Sequence, residues 1–382
     1  MANGITIQDV FNRFYPDYLE KYNPSHVQQH AATNIINCKT GAYGANVSSC
    51  DRCGALQIHY NSCRNRCCPM CQAIPTEKWV DARREDVLDS PYFHIVFTVP
   101  AELNMLIYYN QERLYDALYK ASAETILELS LNNIGIKPGI ISVLHTWGSN
   151  LTLHPHIHMI VLGGGLTKDN NWKDKGDKFF LPVKVISKLF RGKYMAIVKD
   201  LYKDNLLNFT GSIKELESQT EFKKLLDICY EKEWVPHTKP TFKNPEAVIK
   251  YLGRYTHRIA ISNNRILDMD ESTVTFRYKD YRDDGKWKNM TISGVEFIRR
   301  FLTHVPPKRF VRLRHYGLLS SRAKSNSLTL CRNLIGCSKY LSKYKDKTSA
   351  EILKIMYNID ICSCKKCGHT LSEPKLILPG YT

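Results

Sequence analysis

Imidazoles recur at alternate positions in His154-Pro155-His156-Ile157-His158. Alternate side chains of a strand share one face, so His156 and His158 can meet a single divalent cation. A lone histidine is usually satisfied by hydrogen bonds. Two on one face, beside an aliphatic run that ends in Gly163-Gly164-Gly165, favour a metal. A third ligand is needed, and His145, Asn150 and His154 are the candidates on nearby chain. His145 is the first choice, because the preceding strand of a hairpin would set it beside the pair. Tyr251 and Tyr255 stand four apart, on one helix face with β-carbons ~5–6 Å apart. Either tyrosine alone would read as core packing with its hydroxyl at the rim. Phenol, with a reference pKa of ~10, is a poor nucleophile at neutral pH. It improves where a cation polarises a phosphate and where Lys250, Arg254 and Arg258 can stabilise developing charge. In-line attack on a phosphodiester would leave a phosphotyrosine on one end and a free hydroxyl on the other, and two tyrosines permit two such linkages in succession.

Seven of the 13 cysteines fall between Cys38 and Cys71. An odd, clustered count fits thiolate ligands in a reducing compartment better than a disulfide framework. Cys50-x-x-Cys53 and Cys68-x-x-Cys71 are two knuckle-like pairs, and the expectation is that these four close one structural zinc tetrahedron. Cys38, Cys63 and Cys67 remain; with His26, His30 or His59 they could complete a second site, or one of them could replace a member of the first set. Arg52, Arg64 and Arg66 lie among these ligands, where a metal-stiffened knob could present guanidinium groups to phosphates or simply a solvated face. Cys362, Cys364, Cys367 and His369 form a tighter group near the end, readable as another metal site or as surface thiols.

Several elements must position these residues. The first ~35 residues read as helical, with Val10, Phe11, Phe14 and Tyr15 on one face, and Trp79–Leu88 resumes a helical pattern. Tyr92–Val99 is a β-rich run closed by Pro100. Residues 102–133 have helical spacing, Ile140–Trp147 and His156–Leu162 predict a hairpin, and 183–234 predicts a helical insertion. Asn244-Pro245-Glu246 is a helix start running to about Arg258, followed by strand at Ile259–Ile261 and further strands about Asp283-Asp284-Gly285. The chain of 382 residues carries 54 Lys and Arg against 37 acids, a net +17. Such an excess favours a polyanionic partner, nucleic acid first. Arg299–Lys324 holds eight Lys or Arg and no acid, Arg309, Arg312 and Arg314 among them. No apolar run approaches the ~20 residues of a membrane span and no signal peptide is legible, which predicts a cytoplasmic protein with no membrane partner.

Taken in order, Cys50-Asp51-Arg52-Cys53-Gly54, Tyr60-Asn61-Ser62-Cys63-Arg64-Asn65-Arg66-Cys67-Cys68-Pro69-Met70-Cys71-Gln72, His145-Thr146-Trp147-Gly148-Ser149, His154-Pro155-His156-Ile157-His158 and the paired tyrosines resemble the rolling-circle, two-tyrosine HUH transposases of bacterial insertion sequences, the insertion-sequence ninety-one family. The similarity runs from about Cys38 to Arg314-His315-Tyr316-Gly317. It implies that His156 and His158 are the HUH metal ligands, that Tyr251 and Tyr255 are the nucleophiles, and that the amino-terminal cysteines form a zinc-binding, DNA-contacting domain. It also implies single-stranded DNA at element ends as substrate, target DNA as a further partner and a bacterial, nucleoid-associated location, and it leaves room for a homo-oligomer. The family pattern has His-Cys-Pro-x-Cys where this chain has Cys67-Cys68-Pro69-Met70-Cys71, so a cysteine replaces an imidazole.

The expected fold is α+β. It comprises a zinc-binding module (1–90), an antiparallel-sheet nuclease core with packed helices (91–300, insertion about 183–235), and a basic carboxy-terminal region with a small cysteine cluster (301–382). Expected metals are Zn²⁺ at one or two structural sites, the second drawn from Cys38, Cys63, Cys67 and His30, and Mg²⁺ or Mn²⁺ at the nuclease site, where imidazoles suit Mn²⁺ somewhat better. Three rivals stay open. A rolling-circle replication initiator or relaxase would use the same chemistry on another replicon. A histidine-triad nucleotide hydrolase would not need the tyrosines, and a zinc-dependent DNA-binding protein would form no covalent adduct.

Overall fold

The computed structural model describes residues 4–174, 181–234, 236–242, 247, 248, 251, 253 and 260–379. Along the chain, helices α1 (Ile7–Lys21) and α2 (His26–Ile36) precede a small hairpin, β1 (Ala45–Ser49) and β2 (Leu56–Tyr60), then α3 (Ala73–Arg83). Strand β3 (Tyr92–Thr98) leads into α4 (Asn104–Tyr109) and the long α5 (Gln111–Ile134), then β4 (Lys137–Trp147), β5 (Leu153–Leu166) and β6 (Trp172–Asp174). Two helices, α6 (Val183–Lys203) and α7 (Gln219–Glu231), fill the expected insertion before β7 (His237–Phe242). Strands β8 (Ile266–Met269), β9 (Thr273–Asp280) and β10 (Lys286–Ser293) run into α8 (Gly294–Thr303), followed by β11 (Leu313–Gly317), α9 (Lys324–Ile335), α10 (Ser349–Tyr357) and β12 (Lys375–Ile377).

The fold is α+β. Its central antiparallel sheet has the order β11-β4-β5-β3-β7, with β6 hydrogen-bonded to β5. Strand alternation sorts β5 into two faces. Ile157, Met159 and Val161 pack with Ile95, Phe97 and Leu144 against α5 and α6. Ile160 and Leu162 face the other way, with Tyr92, Ile141 and Val143, toward Val248 and Leu328. Each such buried aliphatic side chain contributes roughly 1.5–3 kcal/mol, so β5 is held from both sides and its histidines cannot drift. The three glycines that end the apolar run have a packing reason: a β-carbon at Gly164 would sit 2.5 Å from the Trp172 ring, and one at Gly165 2.5 Å from the Lys137 carbonyl.

A second core joins the amino-terminal helices to β9 and α8. Phe11 and Phe14 of α1 pack with Phe297 and Phe301 of α8, with Val274 and Phe276 of β9, and with Cys38, Cys67 and Cys68. The Phe11 and Phe301 rings meet edge-on at 5.3 Å. Capping boxes at Thr6/Asp9 and Ser25/Gln28 fix the starts of α1 and α2. Ala260 and Ile261, expected as strand, are irregular and buried in this core instead. The cysteine-rich segment, too poor in aliphatics for a core of its own, leans on these helices. The basic carboxy-terminal region enters the main sheet, since β11 pairs with β4 from Leu313↔Val143 to Gly317↔Gly139. Among the described residues no helix is long and apolar enough to cross a membrane.

Candidate functional site

Sheet register assembles a histidine cluster. His145 of β4 lies directly opposite His156 of β5, and Val143 opposite His158, so all three imidazoles occupy one face. One nitrogen from each of His145, His156 and His158 lies within 4.8 Å of the others, and His156 Nε2 is 3.0 Å from His158 Nε2. Burial holds the His156 imidazole down at about 3, leaving it neutral and able to ligate at physiological pH. His156 Nδ1 donates to the His154 carbonyl at 2.6 Å, which fixes the ring and directs Nε2 into the cluster. Neither other third-ligand candidate joins: Asn150 Oδ1 accepts from the Thr152 hydroxyl, and His154 serves through its backbone.

Tyr251 reaches this cluster from across the sheet face. Its hydroxyl lies 2.7 Å from His94 Nε2 and 2.8 Å from His158 Nδ1, and those two ring nitrogens are 3.0 Å apart. Residues 247, 248, 251 and 253 are helical; Val248 is fully buried, and Tyr251 packs against the cluster it belongs to. At Gly253 a β-carbon would approach Val80 of α3 to 2.7 Å, so a small residue lets this helix close on its neighbour. Tyr255, Lys250, Arg254 and Arg258 lie outside the described residues. His94 was missed in the sequence. It had one legible signal: it is the lone imidazole in the apolar run Tyr92–Val99, two residues from Val96, which pairs with His158.

The turn between β4 and β5 is clamped by the second core. Ser149 Oγ accepts from the Lys279 N–H at 2.7 Å, the Ser149 carbonyl accepts from Arg265, and the Asn150 carbonyl accepts from Arg300 at 3.2 Å. Buried His304 bridges the Leu151 carbonyl (3.1 Å) and the Thr146 hydroxyl (3.2 Å). The His145-Thr146-Trp147-Gly148-Ser149 motif thus couples the histidine face to α8 and β9.

The cysteines group differently from the expectation. Cys50, Cys53, Cys68 and Cys71 do not form one tetrahedron. Cys68 and Cys71 lie with Cys38 and Cys63, while Cys50 and Cys53 lie with Cys364 and Cys367. The reason is topological: Cys38 follows α2 in the second core, which draws Cys63 and Cys68 to it, whereas β1 and β2 carry Cys50 and Cys53 toward the chain end. In the first group Cys63 and Cys71 Sγ are 3.8 Å apart, and hydrogen bonds from the Cys63 and Cys68 thiols pull Cys71 well below the ordinary cysteine range. In the second, backbone N–H groups of Cys367 and Lys366 pull Cys364 down to about 6. Both sets offer four sulfurs to a soft tetrahedral ion and fit zinc. Cys67, His30 and Cys362 join neither set. Cys67 is a buried thiol whose neighbours are Arg66 and Arg312, and His30 is exposed.

The basic residues divide as well. Arg52, Arg64 and Arg309 are exposed. Arg66 donates to the carbonyls of Pro307 and Phe310, and Arg314 pairs with Asp116 and covers the Tyr119 ring at 4.3 Å, so both are committed within the molecule. Arg312 is half-buried.

The histidine face with a tyrosine on it and the two cysteine groups suited to zinc belong to a chain that comparison with known proteins places among the DNA-processing enzymes of the transposase class. Residues 139–327 match the family model described as "Putative transposase" (Y2_Tnp), and residues 10–99 match the "Transposase zinc-binding domain" of the IS91 type. The chain is 41% identical over 340 residues, 88% of its length and 85% of the relative's, to "Putative transposase y4qJ" of Sinorhizobium fredii (strain NBRC 101917 / NGR234). It is 26% identical over 375 residues, 94% of its length and 86% of the relative's, to "Transposase for insertion sequence element IS801" of Pseudomonas savastanoi pv. phaseolicola. The chain belongs to the IS91 family of insertion-sequence transposases. No solved structure matches it. A transposase implies DNA as partner, and the matched zinc-binding domain with the two cysteine groups supports zinc.

Proposed function

We propose that this transposase nicks and rejoins single-stranded DNA at element ends through a covalent 5′-phosphotyrosine, with Tyr251 as a nucleophile and Tyr255 as its expected second. The observation that carries this reading is the Tyr251 hydroxyl lying within hydrogen-bond reach of His158, a member of the histidine cluster. His145, His156 and His158 would hold Mg²⁺ or Mn²⁺, which supplies polarisation of the scissile phosphate when bound. With the His158 proton on Nδ1, that nitrogen donates to the Tyr251 oxygen, and the Tyr251 hydroxyl donates to His94 Nε2. His94 then takes the phenolic proton as the oxygen attacks phosphorus. The Tyr251 Oη–P bond forms and the P–O3′ bond breaks, so the 5′ end stays on the enzyme and the departing 3′ oxygen takes a proton from water to become a free 3′ hydroxyl. That hydroxyl can attack a second phosphotyrosine and restore a DNA linkage without ATP.

The test incubates the protein with labelled single-stranded element-end DNA and Mn²⁺, then seeks a denaturation-resistant protein–DNA band. Tyr251→Phe should reduce the band and the Tyr251→Phe/Tyr255→Phe double variant should abolish it. An undiminished band in the double variant overturns the reading. A histidine-triad hydrolase would retain activity in the double variant, and a replication initiator would nick yet fail to join element ends to target DNA.

A further inference from the structure

Two chain segments more than three hundred residues apart have the same local geometry. In Cys50-Asp51-Arg52-Cys53-Gly54, the Gly54 N–H donates to the Cys50 carbonyl at 2.8 Å and the Cys50 N–H to the Ala55 carbonyl at 2.9 Å. In Cys364-Lys365-Lys366-Cys367-Gly368, the Gly368 N–H donates to the Cys364 carbonyl at 2.8 Å and the Cys364 N–H to the His369 carbonyl at 2.7 Å. Both turns close on a glycine in the left-handed region, φ +68° at Gly54 and +72° at Gly368, a conformation in which a side chain would be strained. Each turn aims its two sulfurs toward the other's. Cys50 Sγ is 3.5 Å from Cys367 Sγ and Cys53 Sγ is 3.6 Å from Cys364 Sγ. These spacings are far longer than a disulfide of about 2.05 Å. They approach the edge of a tetrahedron with metal–sulfur bonds of about 2.3 Å, which is roughly 3.8 Å.

We propose that Cys50 and Cys53 hold a zinc ion together with Cys364 and Cys367, so that one tetrathiolate site fastens a knuckle near the start of the chain to a matching knuckle near its end. Neither matched family region reaches the second knuckle, since they cover residues 10–99 and 139–327. The backbone around the site supports the pairing. β12 adds to β1 from Ala45↔Ile377 to Val47↔Lys375, Cys50 bridges to Leu371, and the Ser372 N–H donates to the Ser49 carbonyl at 2.8 Å. Gln57 Nε2 also donates to the Ser363 carbonyl at 3.1 Å.

This small unit has almost no apolar core. Its buried cluster is Cys50, Cys364 and Leu371, with Cys53, Ala55 and Cys367 around it. Four of those six residues are the ligands themselves, so metal must supply the cohesion that aliphatic packing supplies elsewhere. The Cys38, Cys63, Cys68 and Cys71 group differs, because Cys38 and Cys68 sit in the large core with Phe11 and Phe301. Losing the ion from the two-ended site should therefore free β12 from β1 while leaving the histidine face intact.

The test uses the full chain and two readouts. Zinc content by elemental analysis should fall from two ions per chain to one in Cys364→Ser/Cys367→Ser, and equally in Cys50→Ser/Cys53→Ser. In the variant carrying all four changes it should still be one, because the four residues serve a single ion. Two ions retained in Cys364→Ser/Cys367→Ser, or none left in the fourfold variant while circular dichroism shows it folded, overturns the assignment. The unaltered protein gives an independent reading by alkylation mapped with mass spectrometry during chelator titration. Cys50, Cys53, Cys364 and Cys367 should become reactive together, after exposed Cys362 has been labelled. Labelling of Cys364 and Cys367 well before Cys50 and Cys53 overturns the proposal even if every variant misfolds.

Discussion

Tyr251 Oη lies 2.7 Å from Nε2 of His94, a buried residue on a strand 157 positions earlier in the chain. In the proposed mechanism this contact would give the phenol a proton acceptor within the enzyme. His94→Gln is expected to lower single-turnover cleavage about 10²–10⁴-fold, the usual range for a general base, with DNA affinity unchanged. Mn²⁺ binding measured by calorimetry should survive in His94→Gln and be lost in His156→Ala. Cleavage at the unaltered rate in His94→Gln would remove this residue from the mechanism.

The exposed arginines should behave differently from the committed ones. Arg52→Ala, Arg64→Ala and Arg309→Ala are each expected to reduce the salt dependence of DNA binding by about one phosphate contact, with little change in Tm. Arg314→Ala removes an ion pair and a cation–π contact, so it should lower Tm and leave the salt slope alone. Equal slopes for all four variants would contradict the division.

Stability should fall with acid in a defined window. Burial holds His304 down at about 4, against 6.5 in the unfolded chain. Between those values the unfolded state binds the extra proton, so stability is full above pH 6.5 and declines as pH drops toward about 4. A gap of that size corresponds to roughly 3 kcal/mol, an order-of-magnitude figure. Urea titrations at pH 7, 6, 5 and 4 should show the decline, and His304→Gln should flatten part of it. A slope unchanged in the variant would assign the acid sensitivity to other groups.

Docking of α1 onto α8 rests on aromatic packing. Phe11 is fully buried against Phe301, so Phe11→Ala is expected to cost about 3–5 kcal/mol. Limited proteolysis should then cut the amino-terminal segment first. Because the second core also clamps the β4–β5 turn through His304 and Arg300, cleavage activity should fall with it. Resistance to protease equal to the parent chain would show that α1 is held otherwise.

Much of the site was legible because its parts repeat over short distances. Strand alternation placed His156 and His158 on one face, and the short turn between β4 and β5 put His145 opposite His156. The insertion helices and the apolar face of α1 followed from periodicity in the same way. Knuckle spacing marked the cysteines as candidate ligands but could not say which pairs come together, since every Cys-x-x-Cys looks alike to local inspection.

The chain's order of residues thus determined the donor atoms, the strand that carries them and the family to which they point. Tertiary structure decided the partnerships. Cys68 and Cys71 went to Cys38 because a core of phenylalanines gathers that segment, and Cys50 and Cys53 met Cys364 and Cys367 because β12 returns to β1. His94 came to His158 because β3 lies beside β5 in the sheet, and the Tyr251 hydroxyl meets both imidazoles. Contacts of this kind depend on which surfaces find enough apolar partners to bury together, a property of the whole folded chain that no spacing along it records.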